Sequence, residues 1–362
     1  MKMDAWGLQK DISRAGDIYL YGAGIIAYGI RMALAKILSV EIKAHIVTQL
    51  DAGMTSFQGK PLLALSEVPA HMPDALILIA TPPEYHEAIA AALKQQTDCP
   101  FIVLDDMLQY EWMSQYAAKV YGCRLLTQFG QGQSAGIDKS VEIYMAKSLR
   151  DKSLKHEVKI PSYVYPVQAG ALHGGVRLPS VWHDDEGDNI SPRNADFSEM
   201  TVAYWAWKNR KADYMGLCHY RRVLALSDED YAKIIANDVD VVLGLPYVCA
   251  GDASFQYSRY IADEDMRLLY SVLTSEEETW LREELSRPYL YNHNLFLAKC
   301  EIFADYCEHI FSILGRVEEK ESQRAWRNDR HMGYLAEILT SAYFTSRANE
   351  LNIVHVPDLW LV

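Results

Sequence analysis

The sequence predicts an α/β protein in two domains, residues 1–127 and 139–362, joined by a linker at 128–138. Three observations carry the prediction. Short apolar runs alternate with helix-periodic stretches up to about residue 125, the pattern of parallel βαβ units. The stretch Gln128-Phe-Gly-Gln-Gly-Gln-Ser-Ala-Gly-Ile-Asp138 is rich in Gly, Gln and Ser and breaks that pattern. Beyond it, the apolar run Tyr214–Cys218 ends on His219-Tyr220-Arg221-Arg222. Open α/β sheets take their ligands outside the carboxyl ends of strands, so a basic cluster there is a candidate anion site.

In the first domain, Asp17 to Tyr21 reads as a strand running into the turn Gly22-Ala-Gly24, with a helix from Ile25 to Leu38. Glu41–Thr48, Asp74–Thr81 and Phe101–Leu104 are further strands, and Glu84–Lys94 is a helix after Pro82-Pro83. This alternation is that of a doubly wound, Rossmann-like sheet. The third glycine of a dinucleotide fingerprint is displaced to Gly29. Gly22 and Gly24 are the cofactor-binding candidates, with a ligand-free βα turn as the alternative reading. The segment 59–69 (GKPLLALSEVP) resembles one found in small Rossmann domains of polysaccharide-synthesis proteins. Residues 107–128 carry helical spacing, with Trp112, Tyr116 and Val120 on one side.

Composition narrows the function classes. Half of the 362 residues are hydrophobic and 23% are charged, the balance of a soluble globular chain. A net charge of −13 with no Lys/Arg tract argues against nucleic acid as a general partner. The start Met-Lys-Met-Asp has no apolar signal core, and no run approaches the roughly 18 apolar residues of a membrane span. Cys99, Cys123, Cys218, Cys249, Cys300 and Cys307 form no CxxC pair and read as reduced core residues of a cytoplasmic protein. Peripheral association with the inner face of a membrane stays open.

In the second domain, Val141–Ala146 starts a strand, followed by Lys147, Lys152, Lys155 and His156 and then by Pro166-Val-Gln168-Ala-Gly170. The polar loop His183–Asn194 carries Asp185, Asp188, Asn189 and Asn194, residues that hold a hard metal, bond sugar hydroxyls or cap a helix. Phe197, Met200, Thr201, Tyr204, Trp205 and Lys208 recur at helical spacing, with Asp196 and Glu199 placed as a capping box. Trp205 and Trp207 read as core or interface residues. Asp238–Leu243 and Tyr291–Ala298 are strands, and Phe303, Tyr306, Cys307, Ile310, Phe311 and Leu314 form the apolar stripe of a helix. The last helix starts near Asn328, with Met332, Leu335, Ala336, Leu339 and Tyr343 inward and Arg330 and Glu337 on another side. Ile353–Val356 closes as a strand.

The order of these motifs resembles a family of bacterial capsular and exopolysaccharide glycosyltransferases, long catalogued as a domain of unknown function. The resemblance spans about residues 140–345. It rests on Pro166-x-Gln168-x-Gly170-Ala171, Asp185-Glu-Gly-Asp188-Asn189-Ile-Ser191 and Asn194…Glu199-x-Thr201-x-x-Tyr204-Trp205-x-Trp207-Lys208-Asn209. It continues through Asp213-Tyr-x-Gly216-x-x-His219-Tyr220-Arg221-Arg222, Asn294-x-Phe296, Ile302-Phe303-x-x-Tyr306-Cys307 and Gly333-Tyr334-Leu335-x-Glu337. The chain departs from relatives at Lys147-Ser148, where they carry Thr-His-Lys, and at Ile338, where they often carry Arg. It also has no Asp-x-Asp at a strand end, the usual metal holder of GT-A enzymes.

The resemblance implies a GT-A-like α/β glycosyltransferase domain moving a sugar from a nucleotide-diphosphate donor, UDP-linked, to a glycan or lipid-linked glycan hydroxyl. Galactose, pyranose or furanose, is suggested by the capsule setting, with O-antigen or exopolysaccharide as related products. In this reading Arg221 and Arg222 hold the leaving diphosphate, whose oxygens suit the guanidinium fork. Glu337 takes the acceptor proton, with Asp188 as rival. Gln168 and Gly170 lie near the nucleotide, and Asp185, Asn189, Asn194, His219, Tyr220 and Asn294 hold the substrate. A divalent Mn or Mg would sit at His219, Asp185 or Asp188. The competing readings are an NAD(P)-dependent oxidoreductase or epimerase using the Gly22 turn, and a scaffold of polysaccharide assembly without catalysis.

Overall fold

A computed structural model describes residues 5–130, 139–152, 154, 161–172, 175–321 and 329–361. Tertiary contacts divide the chain into two compact units. One is Met1–Cys123 with Tyr247–Ala250; the other is Arg124–Pro246 with Gly251–Val362. The proposed linker falls at residues 128–138, of which 131–138 lie outside the described residues, as do Lys155, His156 and Asn328.

The first unit is a mixed α/β sheet of six strands: β1 (Asp17–Tyr21), β2 (Ala44–Val47), β3 (Ser56–Phe57), β4 (Lys60–Ala64), β5 (Ala75–Ile79) and β6 (Phe101–Val103). Their order is β3-β4-β2-β1-β5-β6, parallel throughout except for the β3–β4 hairpin. Helices α1 (Ala5–Arg14), α2 (Ile25–Ala33), α3 (His86–Gln96) and α4 (Asp106–Tyr121) accompany it. β5 is buried along its whole length, which explains its unbroken apolar run. Gly22 is required at the turn after β1: its φ is +129°, and a Cβ there would lie 2.6 Å from the Ala80 carbonyl oxygen. The expected helix over Ile25–Leu38 is α as far as Ala33 and continues as a π-turn over Leu34–Leu38. The segment 59–69 supplies β4, a strand of the sheet. One expectation needs correction: Val120 is exposed, so the inward side of α4 is carried by Trp112 and Tyr116.

The second unit holds a nine-stranded sheet. Its strands are β7 (Val141–Lys147), β8 (Val164–Gln168), β9 (Trp182–His183), β10 (Tyr214–His219), β11 (Arg222–Leu224), β12 (Val241–Leu243), β15 (Phe296–Lys299), β16 (Ile353–His355) and β17 (Asp358–Trp360). Two short strands, β13 (Tyr247–Val248) and β14 (Tyr289–Leu290), lie outside it. The order is β16-β12-β15-β10-β7-β8-β9, with β15 antiparallel to both neighbours and β11 paired to β10 and β17. The helices are α5 (Asn194–Phe197), α6 (Met200–Asn209), α7 (Asp228–Ala236), α8 (Ala253–Tyr257), α9 (Asp263–Tyr270), α10 (Ser275–Leu285), α11 (Cys300–Glu321) and α12 (His331–Ser346). The stripe of α11 is core, with Phe303, Tyr306, Cys307, Ile310 and Leu314 fully buried. All six cysteines are free. Gly216 lets β10 and β15 approach, since a Cβ there would lie 2.4 Å from the Phe296 carbonyl oxygen.

The helix expected through Phe197–Lys208 is interrupted. α5 ends at Phe197, Ser198 takes a left-handed φ of +51°, and α6 begins at Met200. The capping box of Asp196 and Glu199 is therefore not formed: Glu199 stands at the N-cap of α6 and makes no side-chain cap bond. Gln168 is the last residue of β8 and Gly170 lies just beyond it; β8 runs beside β7, so neither follows the first strand of the unit.

Candidate functional site

The His219-Tyr220-Arg221-Arg222 block is a two-residue hairpin between β10 and β11, with His219 directly opposite Arg222. Cross-strand partners share one face of the ribbon, so positions 219 and 222 stand side by side while Tyr220 and Arg221 form the turn. This separates the two arginines that the sequence groups together. Arg222 is buried and joins the carboxyls described next; Arg221 is half-buried, with its guanidinium 5.9 Å from the Tyr220 ring.

Around His219 and Arg222 the second unit gathers Glu199, Asn294, Arg330 and Glu337. Asn294 Nδ2 donates to Glu199 Oε1 at 2.8 Å. The amide is itself oriented by Thr340 Oγ1, which donates to Asn294 Oδ1 at 2.7 Å and stands 2.8 Å from the Tyr306 hydroxyl. His219 Nε2 lies 2.6 Å from the His293 carbonyl oxygen and 3.7 Å from Glu199 Oε1. With Nε2–H donating to that carbonyl, the ring is the Nε2 tautomer. Arg330 Nη2 lies 4.0 Å from Glu199 Oε2, and Arg330 Nε donates to Ser198 Oγ at 2.8 Å.

The backbone is bent to bring these groups together. Eight non-glycine residues have positive φ among the described residues, and four of them are here: Ser198, His293, Asn294 and Arg330. Consecutive left-handed residues at His293 and Asn294, φ +74° and +47°, turn a carbonyl onto His219 and an amide onto Glu199. Such conformations cost of order 1 kcal/mol or more each and concentrate at functional sites.

The electrostatics follow from burial. Glu337 is pushed up to about 8, first by its removal from water and then by the Glu199 carboxylate; Arg222 and Arg330 act in the opposite direction. Burial also lowers the His219 imidazole, more than Glu199 raises it, so the ring is neutral at neutral pH. A carboxyl raised by burial and by a neighbouring charge, as Glu337 is, is a recurrent acid–base device. Glu337, His219, Arg222 and Asn294 were sequence candidates; Glu199 and Arg330 were not. The signal for Glu199 was masked by its capping-box spacing from Asp196.

Other candidates are bound up in the framework. Asp184, in the polar loop but not singled out by sequence, is fully buried and accepts from Gly170 N (2.8 Å), Ala171 N (3.0 Å), Ser191 Oγ (2.6 Å) and Thr201 Oγ1 (2.6 Å). Asn194 Nδ2 donates to the Ser198 carbonyl and to Thr201 Oγ1, and lies against Gly170, φ +66°, where a Cβ would meet its Oδ1 at 2.7 Å. Gln168 is buried, donating to Val176 O and accepting from Leu178 N. Asn189 uses its amide on Asp185 O, Gly187 O and Ser191 N. Gln168, Gly170, Asn189 and Asn194 thus build the loops. Asp188 is exposed, accepting from the Tyr204 hydroxyl at 3.3 Å, and Asp185 is paired to Arg177 at 2.6 Å.

The topological switch of the second sheet lies at β7, flanked by parallel β8 and β10. At its carboxyl end Lys147 Nζ stands 5.8 Å from the Tyr220 ring and 4.0 Å from Asp151 Oδ2, whose carboxyl is raised by burial. Such a crevice is where open sheets bind ligands, which makes Lys147 and Asp151 candidates that the sequence did not single out.

Among the described residues no group of three or more His, Cys, Asp or Glu side chains is arranged to hold a metal. His219, Asp185 and Asp188 are engaged separately, with His293, Arg177 and Tyr204, and do not form a common ligand set. In the first unit Gly22 and Gly24 stand at the turn into α2, with the Thr81 methyl 3.2 Å from a Cβ built on Gly22. Among the described residues no helix is long and apolar enough to cross a membrane.

The fold is similar to that of WbbM, described as a bifunctional glycosyltransferase and solved in its apo form. The TM-score is 0.51 at 24% identity, over 61% of this chain and 45% of that one. The chain thus spans less than half the length of the solved structure it matches. None of the curated proteins matches it. Residues 152–349, more than half of the chain, match the family described as Domain of unknown function (DUF4422), and the chain belongs to that family.

Proposed function

We propose that the chain is a nucleotide-sugar-dependent glycosyltransferase that moves a hexose to a hydroxyl of a glycan. The observation that carries the reading is the buried Glu199 and the half-buried Glu337, set beside Arg222 and Arg330 at the β10–β11 hairpin. The similarity of fold to a glycosyltransferase supports it.

The bond between the sugar's C1 and the diphosphate oxygen breaks, and C1 bonds to the acceptor oxygen. The departing diphosphate gains charge, which the Arg222 guanidinium stabilises in a site shielded from water. Lys147 and Tyr220, at the switch of the sheet, hold the nucleotide side. The acceptor hydroxyl gives its proton to Glu337. Once ionised, a carboxyl with a proton affinity near pH 8 is a stronger base than an ordinary glutamate. Asn294 and His219 position Glu199, whose charge maintains that affinity. No step is routed through a metal, since the candidate ligands are not assembled. The donor is proposed to be UDP-linked, with galactose as the first sugar to try. The acceptor is a growing capsular, exopolysaccharide or O-antigen glycan, met in the cytoplasm or at the inner face of the membrane.

The test is a thermal-shift and nucleotide-release panel of UDP-, GDP-, TDP- and CMP-sugars and NAD(P), with and without Mn²⁺ or Mg²⁺. A ligand at 100 times its dissociation constant adds about 2.7 kcal/mol of stability, well within reach of such a scan. A shift and turnover with one nucleotide-sugar supports the transferase. A response to NAD(P) alone overturns it in favour of an oxidoreductase using the first unit.

A further inference from the structure

On α12 every residue from His331 to Thr345 is buried except Tyr334 and Glu337. These two are three residues apart and so lie on one face, one turn from each other. The part of Glu337 that reaches the surface therefore shares its helix face with an aromatic ring. A second ring stands beside it: Tyr260 packs edge-to-face on Tyr334 with centroids 6.0 Å apart, and is 39% exposed. Tyr260 in turn packs on Tyr257 at 5.7 Å, and the Tyr257 hydroxyl donates to the Glu337 carbonyl oxygen at 3.4 Å. Tyr257 is fully buried, so the aromatic series is anchored on the backbone of the residue that carries the carboxyl. Five residues before Tyr260, Phe255 is 51% exposed.

We infer that Tyr334 and Tyr260 form an acceptor subsite, a platform on which a sugar ring of the glycan lies with one hydroxyl directed at Glu337. The chemistry fits a sugar. The C–H face of a pyranose packs on an aromatic ring, while its hydroxyls need charged or amide partners at the rim, here Glu337 and the 61% exposed Arg330 side chain. Tyrosine is also a stiff side chain with only two torsions, so little freedom is lost on binding. In the proposed transferase the nucleotide lies at the β7–β10 switch, beside Lys147 and Tyr220, which leaves the α12 side for the acceptor. The inference rests on the transferase reading for the word acceptor, but its binding step can be measured independently.

The experiment is saturation-transfer NMR on the full chain with a panel of galactose-, glucose-, mannose- and rhamnose-terminated oligosaccharides, alongside calorimetry with UDP, GDP, TDP and CMP. The proteins are wild type, Tyr260→Ala, Tyr334→Ala and the conservative Tyr334→Phe, each checked for an unchanged unfolding midpoint. The expected result is oligosaccharide binding in wild type and Tyr334→Phe, weakened at least tenfold in the two alanine variants, with nucleotide affinity within twofold throughout. Wild-type binding in both alanine variants, or no binding of any oligosaccharide to the wild type, overturns the subsite. Loss of nucleotide binding in the alanine variants with sugar binding intact also overturns it and assigns the rings to the nucleobase. If tyrosine-dependent sugar binding appears but no nucleotide binds, the subsite stands and the transferase reading falls.

Discussion

Replacing Glu337 by Gln keeps the shape of the side chain and removes one titrating group. In the folded chain Glu337 holds its proton to about pH 8, against an ordinary glutamate value of 4.5. Between those values the folded state binds more protons than the unfolded one, so stability falls as pH rises. The contribution is complete below about pH 4.5 and is exhausted above about pH 8. At about 1.4 kcal/mol per unit, the displacement amounts to roughly 5 kcal/mol as an upper limit. Part of it belongs to Glu199, whose carboxylate raises Glu337, so Glu199→Gln should reduce the effect without abolishing it. The assay is urea unfolding of wild type and Glu337→Gln from pH 5 to pH 9. The variant should be the more stable at pH 9, and its advantage should shrink or reverse toward pH 5. A difference that stays constant over this range would refute the argument, because the titrating group would then lie elsewhere.

Three further changes probe the framework and the site. Arg222→Lys retains the charge but loses the guanidinium fork, and should cut nucleotide-sugar turnover by about 10²-fold with the unfolding midpoint nearly unchanged; a rate within threefold of wild type counts against the diphosphate role. Asp184→Ala strands four buried donors and should cost at least about 3 kcal/mol in urea unfolding, whereas a loss below about 1 kcal/mol would mean the loops hold without it. Nucleoside diphosphate affinity should fall as pH rises through about 8 in wild type but not in Glu337→Gln, and calorimetry at pH 6.5 and 9 decides the matter.

Where each residue faced a single strong constraint, its place could be read from the sequence. β5 is an unbroken apolar run because both faces are covered, and the stripe of α11 follows its helical period. His219, Arg222 and Asn294 stood out as polar groups at strand termini, and Glu337 as a carboxyl off the apolar stripe of its helix. Glu199 did not stand out, because its spacing from Asp196 satisfies a local rule that the tertiary structure overrides: Ser198 turns left-handed and redirects the chain toward Asn294. Asp184 was hidden for another reason. Among Asp184, Asp185, Glu186 and Asp188 the carboxyls look alike, and what singles out Asp184 is four donors coming from Gly170, Ala171, Ser191 and Thr201. No local pattern encodes that convergence. Lys147 was read only as a departure from the family pattern, and its position at the sheet's switch emerges from strand order.

The two buried polar clusters of the second unit differ in a way that separates scaffold from site. Asp184 meets four donors, so its hydrogen-bonding capacity is used within the fold. The Glu199 cluster has a different charge balance. Arg222 and Arg330 carry two positive charges, Glu199 one negative charge, and Glu337 and His219 are neutral at pH 7. The resulting single positive charge, carried by the buried Arg222 and by Arg330 at the rim, attracts an anion without a lysine-rich surface, in a chain whose overall charge is −13. Ionising Glu337 cancels it, which is why diphosphate affinity and the proton on Glu337 must be linked. By the same linkage a bound diphosphate raises the proton affinity of Glu337 further. Transfer itself needs the ionised carboxylate, so Glu337 must first give its proton to solvent: donor affinity falls and the rate of transfer in the donor complex rises as pH passes about 8.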